Sequence, residues 1–135
     1  MSDQRLSLLE TINIVKEFHE AFRIGNEEQP VGPIDEKDYL LRYKLMREEN
    51  EEYLEAAEKG DLVEIADACG DMLYILCGTM LKHGLQDKIE AVFREIQASN
   101  MSKLDANGQP IYREDGKVLK SDLYFKPNIK DIVYS

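Results

Sequence analysis

Apolar and polar positions alternate along this chain with helical spacing over most of its length. In "RLSLLETINIVKEFHEAFRI", residues 5–24, Leu8, Ile12, Val15, Phe18 and Phe22 fall on one stripe, which predicts a first helix with that line turned to the core. "GNEEQPVGPIDEKD" holds two Gly and two Pro and reads as a loop. A second helix is predicted from about Tyr39 to Lys59, closed by Gly60. "DLVE" pairs Asp61 with Glu64 in a capping-box-like start for a third helix, which runs to about His83 with Gly84 as its C′ residue. A fourth covers about Gln86 to Ala98.

After Asn100 the periodicity fades, and "NG" and "DG" turn signals break up the remainder. The pattern predicts one all-α domain over 1–135. Its helical core of four bundle-like helices spans about 5–98, and an extended, partly hairpin-like tail over about 99–135 wraps it.

Length agrees, since 135 residues suit a single hydrophobic core. No apolar run approaches the roughly 20 residues that span a bilayer, and "MSDQRLSLLE" lacks the order of a signal peptide, so the cytoplasm is the expected compartment. Cys69 and Cys77 lie eight residues apart on one predicted helix. That is about 12 Å of axis, too far for a disulfide, so both are expected as buried, reduced thiols.

Charge changes the picture. The net charge of −10 gives no basic field for a phosphate backbone, which argues against nucleic acid as a partner. Residues 1–99 carry 11 Lys and Arg against 22 Asp and Glu, whereas residues 100–135 carry 6 against 5. An acidic body suits cations, and a lysine-bearing tail suits anions.

The acids are concentrated. "MREENEEYLEA" sets Glu48, Glu49 and Glu52 at i,i+3 and i,i+4 spacings, so they converge on one face of the second helix, with Glu55 extending the stripe and Glu51 pointing elsewhere. Taken alone, such a run is more often a solvated face. On the third helix Glu64, Asp67 and Asp71 recur as a second stripe, and after Asp71 the helix, "MLYILCGTML", is apolar nearly all round. An ionised carboxylate at that boundary is costly without a cation or strong donors. The short link at Gly60–Asp61 makes the two helices antiparallel neighbours with their stripes facing.

All-oxygen ligands favour Mg²⁺ or Mn²⁺, with Ca²⁺ next, over zinc. A di-iron bundle would need Glu-x-x-His, but His19 follows Lys16 and His83 follows Met80 at that spacing. An EF-hand from Asp105 fails, with Pro110 at the sixth position and Gly116 at the twelfth. Magnesium carried with a phosphorylated ligand fits best.

These motifs, "EENEE", "EIADACGDMLY", "SNMSK" and "REDGKVLK", together resemble the all-α nucleoside triphosphate pyrophosphohydrolases, which include MazG-type enzymes and dimeric dUTPases. The phosphoribosyl-ATP pyrophosphohydrolase-like branch is the most similar, over about residues 10–127. The superfamily pattern is E-E-x-x-E followed by E-x-x-D. Matching its aspartate to Asp71 puts its second glutamate on Ala68, with Asp67 one residue further back; reading Glu64 to Asp67 as E-x-x-D is the other register.

The resemblance implies Mg²⁺-dependent hydrolysis of a nucleoside triphosphate between its α and β phosphates, giving the monophosphate and pyrophosphate. It implies Glu49, Glu52, Asp67 and Asp71 as metal ligands, with Glu64 an alternative, and Glu48 or Glu49 as the proton acceptor. Lys103, Lys117 and Lys120 would contact phosphate, Arg113 less so, Asn100 would hydrogen-bond a base or sugar, and Tyr74 would stack on a base or sit in the core. His19, His83 and the Met and Leu of helices three and four are expected to be structural. The resemblance also implies a homodimer or homotetramer. Two other readings are a non-catalytic nucleotide- or cation-binding module and a helical interaction protein with acidic surfaces.

Overall fold

The computed structural model describes residues 4–135. It is all-α, with five helices and no strand among the described residues: α1 (Leu8–Ala21), α2 (Glu36–Lys59), α3 (Leu62–Lys82), α4 (Ile89–Met101) and α5 (Ile129–Val133). The chain divides into two compact units, Met1–Asp87 and Lys88–Ser135, with α4 and α5 in the second. No helix among the described residues is long and apolar enough to cross a membrane.

Local chemistry sets the helix ends. The Ser7 hydroxyl accepts the Glu10 N–H at 3.1 Å and opens α1. The Asp61 carboxylate accepts the Glu64 N–H at 3.2 Å and opens α3 as its capping sequence predicts. Asp35 accepts the Lys37 N–H at 3.1 Å, so α2 begins three residues before the predicted Tyr39. Gly60, at φ 66°, ends α2 in the left-handed region that favours glycine. Gly84, at φ 66°, lies just past the C-cap His83, and a Cβ there would overlap the Gln29 carbonyl oxygen.

In the first unit α3 is central, packed against α2 on one side and α1 on another. Its core is Ile12 and Val15 of α1, Ala56 of α2, and Ala68, Cys77 and Leu81 of α3. His19 is also buried, and its Nδ1 donates to Asn26 Oδ1 at 2.7 Å, tying α1 to the following loop. Arg42 reaches from α2 onto α3, where Nη2 donates to the Ile75 carbonyl at 2.8 Å and Nε to Thr79 Oγ1 at 3.1 Å. Gly78 leaves room for this crossing, since a Cβ there would press on both Arg42 and His19.

Three expectations need correction. Phe18 and Phe22 stand exposed, because α1 seats only the Ile12–Val15–His19 line on α3. Leu73 and Leu76 are exposed too, so α3 is not covered all round after Asp71. Cys77 is buried as expected, but Cys69 faces outward.

In the second unit, serine hydroxyls fasten the tail to the end of α4. Ser99 Oγ donates to the Phe125 carbonyl at 2.8 Å, and Ser102 Oγ accepts the Phe125 N–H at 3.1 Å. Ser121 Oγ lies 3.0 Å from the Ser102 carbonyl and 2.7 Å from that of Leu104. The hairpin character reduces to one antiparallel bridge, Tyr112 with Val118, around the turn at Asp115–Gly116. The short α5 was not predicted.

Candidate active site

The αα-hairpin of α2 and α3 brings carboxylates from both helices to Glu49. On α2, Glu48 and Glu52 are exposed while Glu49 is partly sunk toward α3. On α3, Asp67 is exposed and Asp71 is partly buried. Ala68, where the superfamily pattern has a glutamate, is buried in the core. Its methyl group lets that face of α3 pack closely, and the acid beside it projects outward instead.

Glu49 carries the electrostatic load. Its pKa is pushed up from 4.5 to about 7, first by burial, then by hydrogen bonding to Glu52, and then by the negative charges of Asp71, Glu52 and Asp67. Its Oε2 is buried without a hydrogen-bond partner. The structure therefore brings Glu49, Glu52, Asp67 and Asp71 into one field. Glu64 instead lines an acidic cleft of about 230 Å³ together with Glu52, Glu55 and Asp61. Glu51 and Glu55 are committed to surface ion pairs with Arg47 and Lys59, both at 3.1 Å.

An unpartnered, buried carboxylate oxygen amid further carboxylates fits a hard divalent cation, which would remove the cost of packing like charges together. Among the described residues, no three acidic, histidine or cysteine side chains are gathered closely enough to hold a metal as they stand. A cavity of about 690 Å³ opens elsewhere between α2 and α3, lined by Tyr43, Met46, Met72 and Leu76 with Arg42. None of its lining residues is acidic.

The lysines and Asn100 proposed for substrate lie in the second unit. Asn100 and Lys117 are exposed, and Lys103 is half-buried at the end of α4. The Lys120 ammonium sits 4.6 Å from the centroid of the Tyr124 ring, a cation–π contact. Arg113 is paired with Asp115 and also donates from Nε at 2.9 Å.

Tyr74 is exposed rather than in the core, one helical turn beyond Asp71. Its neighbours are Phe18 and, through it, Phe22, which sequence periodicity assigned to packing. No signal in the sequence separates a core phenylalanine from an exposed one on the same stripe.

The family model for phosphoribosyl-ATP pyrophosphohydrolase matches residues 15–100, a span that contains both acidic stripes. No curated protein matches the chain. With its all-α fold and paired acidic helices, the molecule is a pyrophosphohydrolase, a hydrolase acting on phosphoric anhydrides. The chain belongs to the phosphoribosyl-ATP pyrophosphohydrolase family, within the MazG-like all-α nucleoside triphosphate pyrophosphohydrolase superfamily.

Proposed function

We propose that this enzyme hydrolyses a nucleoside triphosphate, or its phosphoribosyl derivative, between the α and β phosphates. Water attacks the α-phosphorus, the bond to the bridging oxygen breaks, and pyrophosphate leaves the nucleoside monophosphate behind. The observation that carries this reading is Glu49, a sunk carboxylate held near-neutral by Glu52, Asp67 and Asp71 with one oxygen unsatisfied.

Mg²⁺, or Mn²⁺ in its place, would be held by Glu49, Glu52, Asp67 and Asp71, where it would neutralise phosphate oxygens and acidify water. Glu48, exposed beside them, or Glu49 accepts the proton of the attacking water. By the family resemblance, Asn100, Lys103, Lys117 and Lys120 of the second unit are the candidate substrate contacts. Lys120 becomes one only by leaving the Tyr124 ring.

Exposed apolar side chains on all three helices of the first unit, among them Leu9, Ile14, Leu41, Leu54 and Leu73, support assembly as a homodimer or homotetramer. The enzyme would act in the cytoplasm.

The test is a panel of nucleoside triphosphates and phosphoribosyl-ATP assayed with Mg²⁺ or Mn²⁺ for pyrophosphate release. Release with at least one substrate, lowered about 100-fold or more by Asp71→Asn, is expected. Turnover that survives both Asp71→Asn and Glu52→Gln, or that yields orthophosphate instead, would overturn the reading.

A further inference from the structure

The buried surface of α2 comes down to one residue, Ala56, and the buried positions of α3 include Ala68 and Gly78, which are equally small. Faces this smooth offer few ridges to interlock, so apolar packing does little to fix how α2 is rotated on α3. The like charges of Asp67 and Asp71 also oppose the seating of Glu49 between the helices. Holding Glu49 at its depth therefore calls for a contact with direction.

Arg42 makes that contact. Its Nη2 donates to the Ile75 carbonyl at 2.8 Å and its Nε to Thr79 Oγ1 at 3.1 Å, while the Thr79 hydroxyl donates to the same carbonyl at 3.1 Å. The three bonds close a ring across the two helices around a planar group whose donors point in fixed directions. A Cβ at position 78 would stand 2.5 Å from Arg42 Nη2, so glycine is what admits the guanidinium. None of the ion pairs among the described residues includes Arg42, so its part here is hydrogen bonding and not charge pairing. Arg42 and Glu49 are i,i+7 on α2, on one stripe two turns apart. With the helices antiparallel across the Gly60–Asp61 link, the matching step along α3 leads from Ile75 and Thr79 back to Asp71 and Asp67.

We propose that Arg42 is a positioning residue, which sets the rotation at which Glu49 meets Asp67 and Asp71 and thereby the affinity of these carboxylates for a divalent cation. This rests on the pyrophosphohydrolase reading above and adds to it what holds the acidic helices in register.

The experiment reads Mn²⁺ binding to the full chain, by electron paramagnetic resonance of the free ion, alongside steady-state pyrophosphate release. Arg42→Lys keeps the charge and loses the planar fork; it should weaken Mn²⁺ binding roughly 10-fold, with a matching fall in kcat and little change in KM. Thr79→Val exchanges the hydroxyl for a methyl group and should weaken binding in the same direction, whereas Thr79→Ser should restore it. That pair decides the matter should Arg42→Lys not fold. Ile12→Val loosens the core at α1 and should leave Mn²⁺ affinity unchanged.

Mn²⁺ affinity unchanged in both Arg42→Lys and Thr79→Val, in a wild type that binds the ion, would overturn the positioning role alone. An equal loss in Ile12→Val would reduce Arg42 to a general structural contact, which also overturns it. Affinities in the expected order without cleavage of any triphosphate would uphold the role of Arg42 and remove the hydrolytic reading. A wild type that binds no Mn²⁺ would overturn both.

Discussion

Removing the charge of Glu49 should stabilise the metal-free protein at neutral to alkaline pH, the reverse of what deleting a half-buried polar contact normally does. The perturbation is Glu49→Gln, an isosteric neutral side chain. The folded chain holds the Glu49 proton up to about pH 7, against an ordinary value of 4.5. Between those values the folded state is protonated while the unfolded state has ionised, so stability falls as pH rises through this window and levels off above it. A shift of that size corresponds to an upper bound of about 3 kcal/mol, at roughly 1.4 kcal/mol per pH unit. Partial exposure and screening by water reduce this to about 1–2 kcal/mol. For a chain of this size that is roughly 4–8 °C in Tm.

The assay is thermal unfolding by circular dichroism in EDTA at pH 5, 6, 7 and 8. Wild type and Glu49→Gln should nearly coincide at pH 5 and diverge by pH 8, with the variant the more stable. Saturating Mg²⁺ should then raise the wild type past the variant, because the cation needs the charge that the variant lacks. A difference between the two proteins that is flat with pH, or a variant less stable at pH 8 in EDTA, would refute the electrostatic account.

Two further predictions concern the scaffold. Gly84→Ala should cost about 2–4 kcal/mol in urea unfolding, since it combines a φ of 66° with overlap of the Gln29 carbonyl. Ser121→Ala should cost about 1–3 kcal/mol of the second unit's stability, read as faster amide exchange at Leu123, because its hydroxyl serves the Ser102 and Leu104 carbonyls and the Leu123 N–H.

The long helices were legible because α1 to α4 each repeat apolar positions at helical spacing, and Gly60, Asp61 and Gly84 mark their ends in residue type alone. The start of α2 was not, because the Asp35 cap sits in a Pro- and Gly-rich stretch that reads as loop. The five residues of α5 are too few to show a period, and the Asn128 cap that opens it accepts the Asp131 N–H at 3.4 Å. For the site, spacing showed that Glu49, Glu52, Asp67 and Asp71 share a side. It did not show that Glu49 is the sunk member, because depth depends on how α2 rotates against α3. The exposure of Phe18 was illegible for the same reason: it depends on the narrow line of α1 that α3 accepts.

The link between α2 and α3 is only Gly60 and its neighbour Asp61, one in the left-handed region and one capping the next helix. So short a connection makes this hairpin the segment of the first unit with the lowest loop-closure entropy, and its pairing the most local in sequence. The elements that collide electrostatically are thus the ones that meet earliest as the chain collapses. Ionic strength and divalent cations should consequently act on the refolding rate and not only on the final equilibrium.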